Sequence, residues 1–165
     1  TASHFNFGTP YDFALFVAMG FGIIGLTLLM IALLAAFFVR PVDLPTPYLW
    51  GIRAGLAVFL LGLVPGWYMI LYASHTVTAI TAPSAAAAGL PVFGWSTSVG
   101  DLRIAHFLGL HALQVLPVCG YLAARWRSVA LRSREQALAA TALAYAAALL
   151  ITFAQALAGY PLLPY

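Results

Sequence analysis

The run FALFVAMGFGIIGLTLLMIALLAAFFV, residues 13–39, holds 27 residues without one charged side chain. A helix of about 20 apolar residues is long enough to cross a ~30 Å hydrocarbon core, so this stretch reads as a membrane span and decides the fold class. Arg40-Pro41 ends it, because proline cannot continue the helical hydrogen-bond ladder. Beyond a Pro-rich connector from Pro41 to Pro47, a second charge-poor run spans about residues 50–73, with Arg53 near enough to its start to snorkel. Pro65-Gly66 lies inside that run and predicts a kink. A third run follows Gly100-Asp101 over about 102–124, and a fourth covers about 137–158. The expectation is an all-α protein, a membrane four-helix bundle forming a single domain over residues 1–165.

Composition points the same way. Of 165 residues, 64% are apolar and 7% charged, and mean hydropathy is +0.99. A water-soluble domain carries about a quarter charged residues, so soluble and disordered classes are excluded. The seven basic residues are all arginine, and without lysine no Schiff base to a carbonyl cofactor and no phosphate-loop lysine can form. One cysteine, Cys119, rules out an internal disulfide framework or a cysteine-rich metal site. No nucleophile–His–acid spacing, Gly-rich phosphate loop or H-E-x-x-H occurs, so no catalytic residue is expected.

Between the second and third runs, Ala79 to Trp95 is apolar but broken by Pro83, Gly89, Pro91 and Gly94. It reads either as an irregular interfacial or re-entrant cap, anchored by Phe93 and Trp95 at headgroup level, or as a plain Ala-rich loop. Arg40, Arg53, Arg125, Arg127, Arg132 and Arg134 fall at one end of the bundle and Arg103 alone at the other. By the positive-inside rule both termini face away from the cytoplasm, which predicts a multi-pass inner-membrane protein with a periplasmic N- and C-terminus. The net charge of +3 is then a topology signal and not a nucleic-acid surface. Gly51/Gly55 and Gly62/Gly66 in the second span, and Ala140/Ala144/Ala148 in the fourth, are small-residue spacings expected to pack helices closely.

The polar residues are few. His4 stands in the leader, and His75 at the exit of span two. His106 and His111 lie in the opening turns of span three, with Gln114 on the face of His111. Gln155 and Thr152 stand at comparable depth on span four. Imidazole ligates haem iron and transition metals, so His75, His106 and His111 are the candidate metal or haem b ligands. Gln114 and Gln155 would line the site, and Arg103 would pair with a propionate or a lipid phosphate. The bland reading stands beside this one: hydrated or backbone-bonded histidines, and an interhelical hydrogen bond from His111. Asp101 and Asp12 read as helix-capping acids, with Arg103 neutralising Asp101.

The string GDLRIAHFLGLHALQVLP, Gly100 to Pro117, resembles a run in uncharacterised bacterial four-helix membrane proteins, whose last helix carries a Gln-Ala-Leu stretch like Gln155 to Leu157. The resemblance implies a bacterial membrane and four helices, and no activity. The leading expectation is therefore a small membrane subunit or assembly partner of a larger complex, energy-transducing or redox in type. Its partners would be the lipid bilayer and other membrane subunits or itself. A haem- or metal-binding protein is the alternative, and a small transporter or quinone/lipid-binding protein is the weaker one.

Overall fold

A computed structural model describes residues 8–77 and 89–163. Among these residues four helices follow in order: α1 (Pro10–Val39), α2 (Thr46–Tyr72), α3 (Leu102–Arg125) and α4 (Leu131–Leu157). All four are long and apolar enough to cross a membrane, with mean hydropathies of 2.7, 2.0, 1.5 and 2.0 over their best windows. The chain is an all-α, multi-pass helical membrane protein. The helices outrun the hydropathic runs at their polar ends. Thus α2 begins at Thr46, where Pro47 suits the first turn, and α4 begins at Leu131, taking in Arg132 and Arg134.

Asp101 caps its helix as expected, whereas the cap of α1 is Thr9, with Asp12 in the first turn. Thr9 closes the start of α1: its Oγ1 accepts from Asp12 N at 3.1 Å and donates to the Asp12 carboxylate at 2.6 Å. Asp101 caps α3, accepting from Arg103 N at 3.0 Å. Two arginines counted above for orientation also satisfy helix C-termini. Arg53 donates through Nε and Nη2 to Phe37 O at the end of α1, at 2.9 and 2.5 Å. Arg134 on α4 donates through Nη1 to Ala123 O and Ala124 O at the end of α3, at 3.3 and 3.1 Å. Each removes orphan carbonyls that lipid could not solvate.

The core lies between α2, α3 and α4. Helices α2 and α3 run antiparallel in backbone contact, and glycines permit it. A Cβ on Gly51 would lie 2.6 Å from Leu116 O, one on Gly120 2.6 Å from Pro47 O, and one on Gly62 would fall on Gly109. Val58, Ala112, Leu116 and Leu149 fill the centre, and Tyr145 of α4 donates its hydroxyl to Leu108 O at 2.8 Å. The expected alanine stripe is not part of this packing. Ala140, Ala144 and Ala148 are exposed, and α4 meets the bundle through Leu138, Ala142, Tyr145, Leu149 and Ala156. The α2–α3 pair already supplies the close approach, and α4 fills the remaining groove with a different face, leaving Ala140, Ala144 and Ala148 outward. Helix α1 stands apart: none of its 30 residues is buried, and it joins the rest at its last turns through Arg53 and the Phe38–Trp50 ring contact.

Candidate functional site

The end of the bundle opposite the arginine cluster is a knot of three helix termini. Leaving α2, the chain turns through Ala73 in the left-handed region (φ 46°), and Ser74 N bonds back to Met69 O at 3.1 Å. Leu102 N then donates to His75 O at 2.9 Å, and Gly100 N to Gly159 O just past α4 at 2.9 Å. Gly100 has no room for a side chain, since a Cβ there would collide with Ala156 O. At the centre sits the Asp101 carboxylate, whose side chain is 0% exposed. It accepts from Ser96 N at 2.9 Å, from Arg103 N, and from the Arg103 guanidinium at 2.6 Å, and Arg103 in turn donates to Gly94 O at 2.6 Å. This is the one ion pair among the described residues. Arg103, expected at the rim as a propionate or phosphate partner or as the neutraliser of Asp101, is committed to Asp101 and the loop.

Of the expected cap, residues 79–88 lie outside the described residues, as does His4. The rest folds into a tight hairpin, with Leu90 N bonded to Trp95 O and Gly94 N to Leu90 O, both at 2.8 Å. Phe93 stacks on Trp95 at 4.7 Å, and Trp95 meets Phe107 of α3 edge-on at 5.5 Å. These rings therefore clasp the hairpin to α3.

The histidines go to separate places. His106 points into α2, its Nδ1 2.9 Å from Gly62 O. A carbonyl can only accept, so Nδ1 carries the proton and Nε2 the lone pair. The contact lies in the turn before Pro65, which has no N–H to give to Leu61 O; His106 bonds the next carbonyl, that of Gly62. Gly66 makes the room, since a Cβ there would lie 2.8 Å from His106 Cε1. His111 turns outward: its Nδ1 donates to Phe107 O of its own helix at 2.9 Å, and its ring lies 3.9 Å from that of Phe107. The interhelical bond expected of His111 is thus made by His106. Gln114 is exposed beside His111, with its amide nitrogen in reach of Leu110 O and His111 O at 3.3 and 3.1 Å. Gln155 donates to Pro161 O at 2.7 Å and ties down the segment after α4, while Thr152 bonds to Ala148 O within α4. His75 is half-buried in the terminal knot. No group of three or more His, Cys, Asp or Glu side chains converges among the described residues.

The residues absent from the sequence reading are the glycines of α3. Gly51 and Gly62 are eleven residues apart on α2, and Gly109 and Gly120 eleven apart on α3. Eleven residues are close to three helical turns, so each pair lies on one face. Antiparallel helices bring Gly51 to Gly120 and Gly62 to Gly109. That shared spacing was the available signal.

These features define a multi-pass helical membrane protein with a three-helix core and one peripheral helix. No family profile matches the chain, and comparisons with curated proteins and with solved structures likewise find no match.

Proposed function

We propose that this chain is a small integral subunit or assembly partner of a larger complex in a bacterial inner membrane, with both termini on the periplasmic side and no catalytic activity of its own. The observation that carries the reading is α1. It is the most apolar helix, buries none of its residues, and presents Gly20, Gly22 and Gly25 with nothing within 4 Å among the described residues. The α2–α3 pair uses the same device internally, with glycines closed against backbone. In lipid, apolar surface alone does not drive helices together, and backbone-close notches do. The six arginines at the C-terminal end of α1 support the orientation.

Purification of the tagged chain from its native membranes in mild detergent should recover a second membrane protein in fixed stoichiometry. Gly22→Leu should cut that recovery about tenfold, equivalent to roughly 1.4 kcal/mol of association, without moving the unfolding midpoint of the α2–α4 core. Recovery of a lone monomer, unchanged by Gly22→Leu, would overturn the reading.

A second reading, a haem b or metal centre, draws on one observation: the carbonyl bonds of His106 and His111 fix the proton on Nδ1 and leave Nε2 as the ligating atom. Under it the purified protein absorbs in the Soret region or carries stoichiometric metal, and His106→Ala removes that signal. If His106 only ties α3 to α2 at Gly62, His106→Ala costs about 0.6–1.7 kcal/mol, the range for interhelical hydrogen bonds in membranes, and the protein is colourless throughout.

A further inference from the structure

At the arginine-rich end, the start of α2 and the end of α3 enclose a cleft of about 570 Å³. Leu44, Pro45 and Tyr48 form one wall, and Tyr121, Arg125 and Arg127 the other. Arg125 donates to the Tyr121 hydroxyl at 2.7 Å, with its guanidinium 5.6 Å from the centre of that ring, and Tyr48 meets Tyr121 edge-on at 5.8 Å. The Tyr121 hydroxyl accepts from Arg125, so its own proton is free to be donated. Neither arginine has a carboxylate partner, since Asp101–Arg103 is the one ion pair among the described residues. Asp43 precedes Leu44 in the chain and does not line the cleft. The first turn of α2 opens on the same space without a side-chain cap.

The cleft is therefore lined by two arginines without a carboxylate partner and by two tyrosines, on mostly apolar walls. Its depth is set by the helix ends. Arg125 is the last residue of α3 and Tyr48 the third of α2, so the cleft lies at the level where a bilayer changes from hydrocarbon to headgroup. The anion held at that depth in a membrane is the phosphodiester of an acidic phospholipid. Its phosphate suits the planar donor array of arginine, and its acyl chains continue along apolar helix surface. Zwitterionic lipids share the phosphodiester but bring a cation, which two unpaired arginines repel.

We infer that this cleft is a binding site for the headgroup of an acidic phospholipid, with Arg125 and Arg127 as the charge partners of the phosphodiester and Tyr121 as the group that orients Arg125. This inference does not depend on the subunit reading: it concerns a cleft between α2 and α3, away from the open glycines in the middle of α1, and is tested on the purified chain alone.

The test is native mass spectrometry of the detergent-solubilised full chain. It is titrated with phosphatidylglycerol, with phosphatidylcholine of the same acyl chains, and with inorganic phosphate as competitor. Phosphatidylglycerol should be retained in preference to phosphatidylcholine. Each of Arg125→Gln and Arg127→Gln should weaken its retention about five-fold, and the double variant about thirty-fold, on roughly a kcal/mol per arginine near a membrane surface. Arg132→Gln, outside the cleft, serves as the control for lost net charge and should leave retention at the wild-type level. Tyr121→Phe should weaken binding less than loss of either arginine, and all variants should keep the wild-type circular dichroism. Failure of millimolar phosphate to displace the lipid supports the lipid as the source of the anion; full displacement overturns that assignment in favour of a soluble phosphate compound. Equal retention of both lipids, or a double variant no weaker than Arg132→Gln, overturns the site.

Discussion

Gly62→Ala should lower the stability of the bundle by roughly 3 kcal/mol or more, while Gly20→Ala leaves it unchanged or slightly raised. The difference lies wholly in what the new methyl group meets. At Gly62 it meets the backbone of Gly109, which has no rotamer to relax into, so α2 and α3 must separate along their length. Separation loosens Gly51 on Leu116 O, the Val58–Ala112–Leu116 contact, and the His106 bond to Gly62 O. At Gly20 it meets nothing within 4 Å. Unfolding in mixed micelles titrated with a denaturing detergent reads both variants on one scale. Gly109→Ala closes the same contact from the other side and should match Gly62→Ala. Equal stability of Gly62→Ala and Gly20→Ala would show that α2 and α3 are not in backbone contact.

The second large effect is expected at Asp101. Asp101→Ala should cost about 2–4 kcal/mol, because it strips the N-cap of α3, leaves Ser96 N without its acceptor and leaves the Arg103 guanidinium with Gly94 O alone. The lower part of the range for a broken buried pair applies, since the Arg103 side chain keeps 32% of its surface exposed and can turn to water. Arg103→Gln should cost less than Asp101→Ala, because the carboxylate keeps two backbone donors. The double variant should cost less than the sum of the two, the mark of a shared network. Proteolytic cleavage within residues 89–100 gives an independent readout. It should accelerate in Asp101→Ala and stay at the wild-type rate in Gly62→Ala, whose defect lies in the middle of the bundle. An Asp101→Ala protein with wild-type stability would reduce the carboxylate to a passive feature of the loop.

The candidate site was only partly legible in the sequence. Asp101 as a cap and Arg103 as its neutraliser were readable, because a polar residue before a long apolar run has few other uses. The destinations of His106 and His111 were not. The two differ by five residues, about 140° of helix, which says that they face apart and not which of them faces α2. Helix α2 runs on through Pro65 as one helix, and the space beside Gly66 for an imidazole from α3 depends on the register that brings His106 to Gly62, 44 residues away. The arginines were read for orientation, and their second use depends on neighbours as well. Arg53 reaches Phe37 O only because the Pro41–Pro47 connector turns the chain back on itself, and Arg134 reaches Ala123 O only because the α3–α4 turn is short.

By itself, the sequence determined that there are four membrane helices, roughly where they lie, and how two of them are capped. Those are properties of a single segment: a charge-free run longer than the hydrocarbon core has one stable conformation in lipid, and polar residues collect at its ends. Only the tertiary structure decided which faces meet. In water, the apolar stripe of a helix announces its buried side. In lipid an inward and an outward face are equally apolar, so that signal is absent and steric fit decides. For that reason α2 and α3 lock through the matched spacing of Gly51/Gly62 and Gly109/Gly120, the alanine stripe of α4 faces out, and α1 keeps its glycines open.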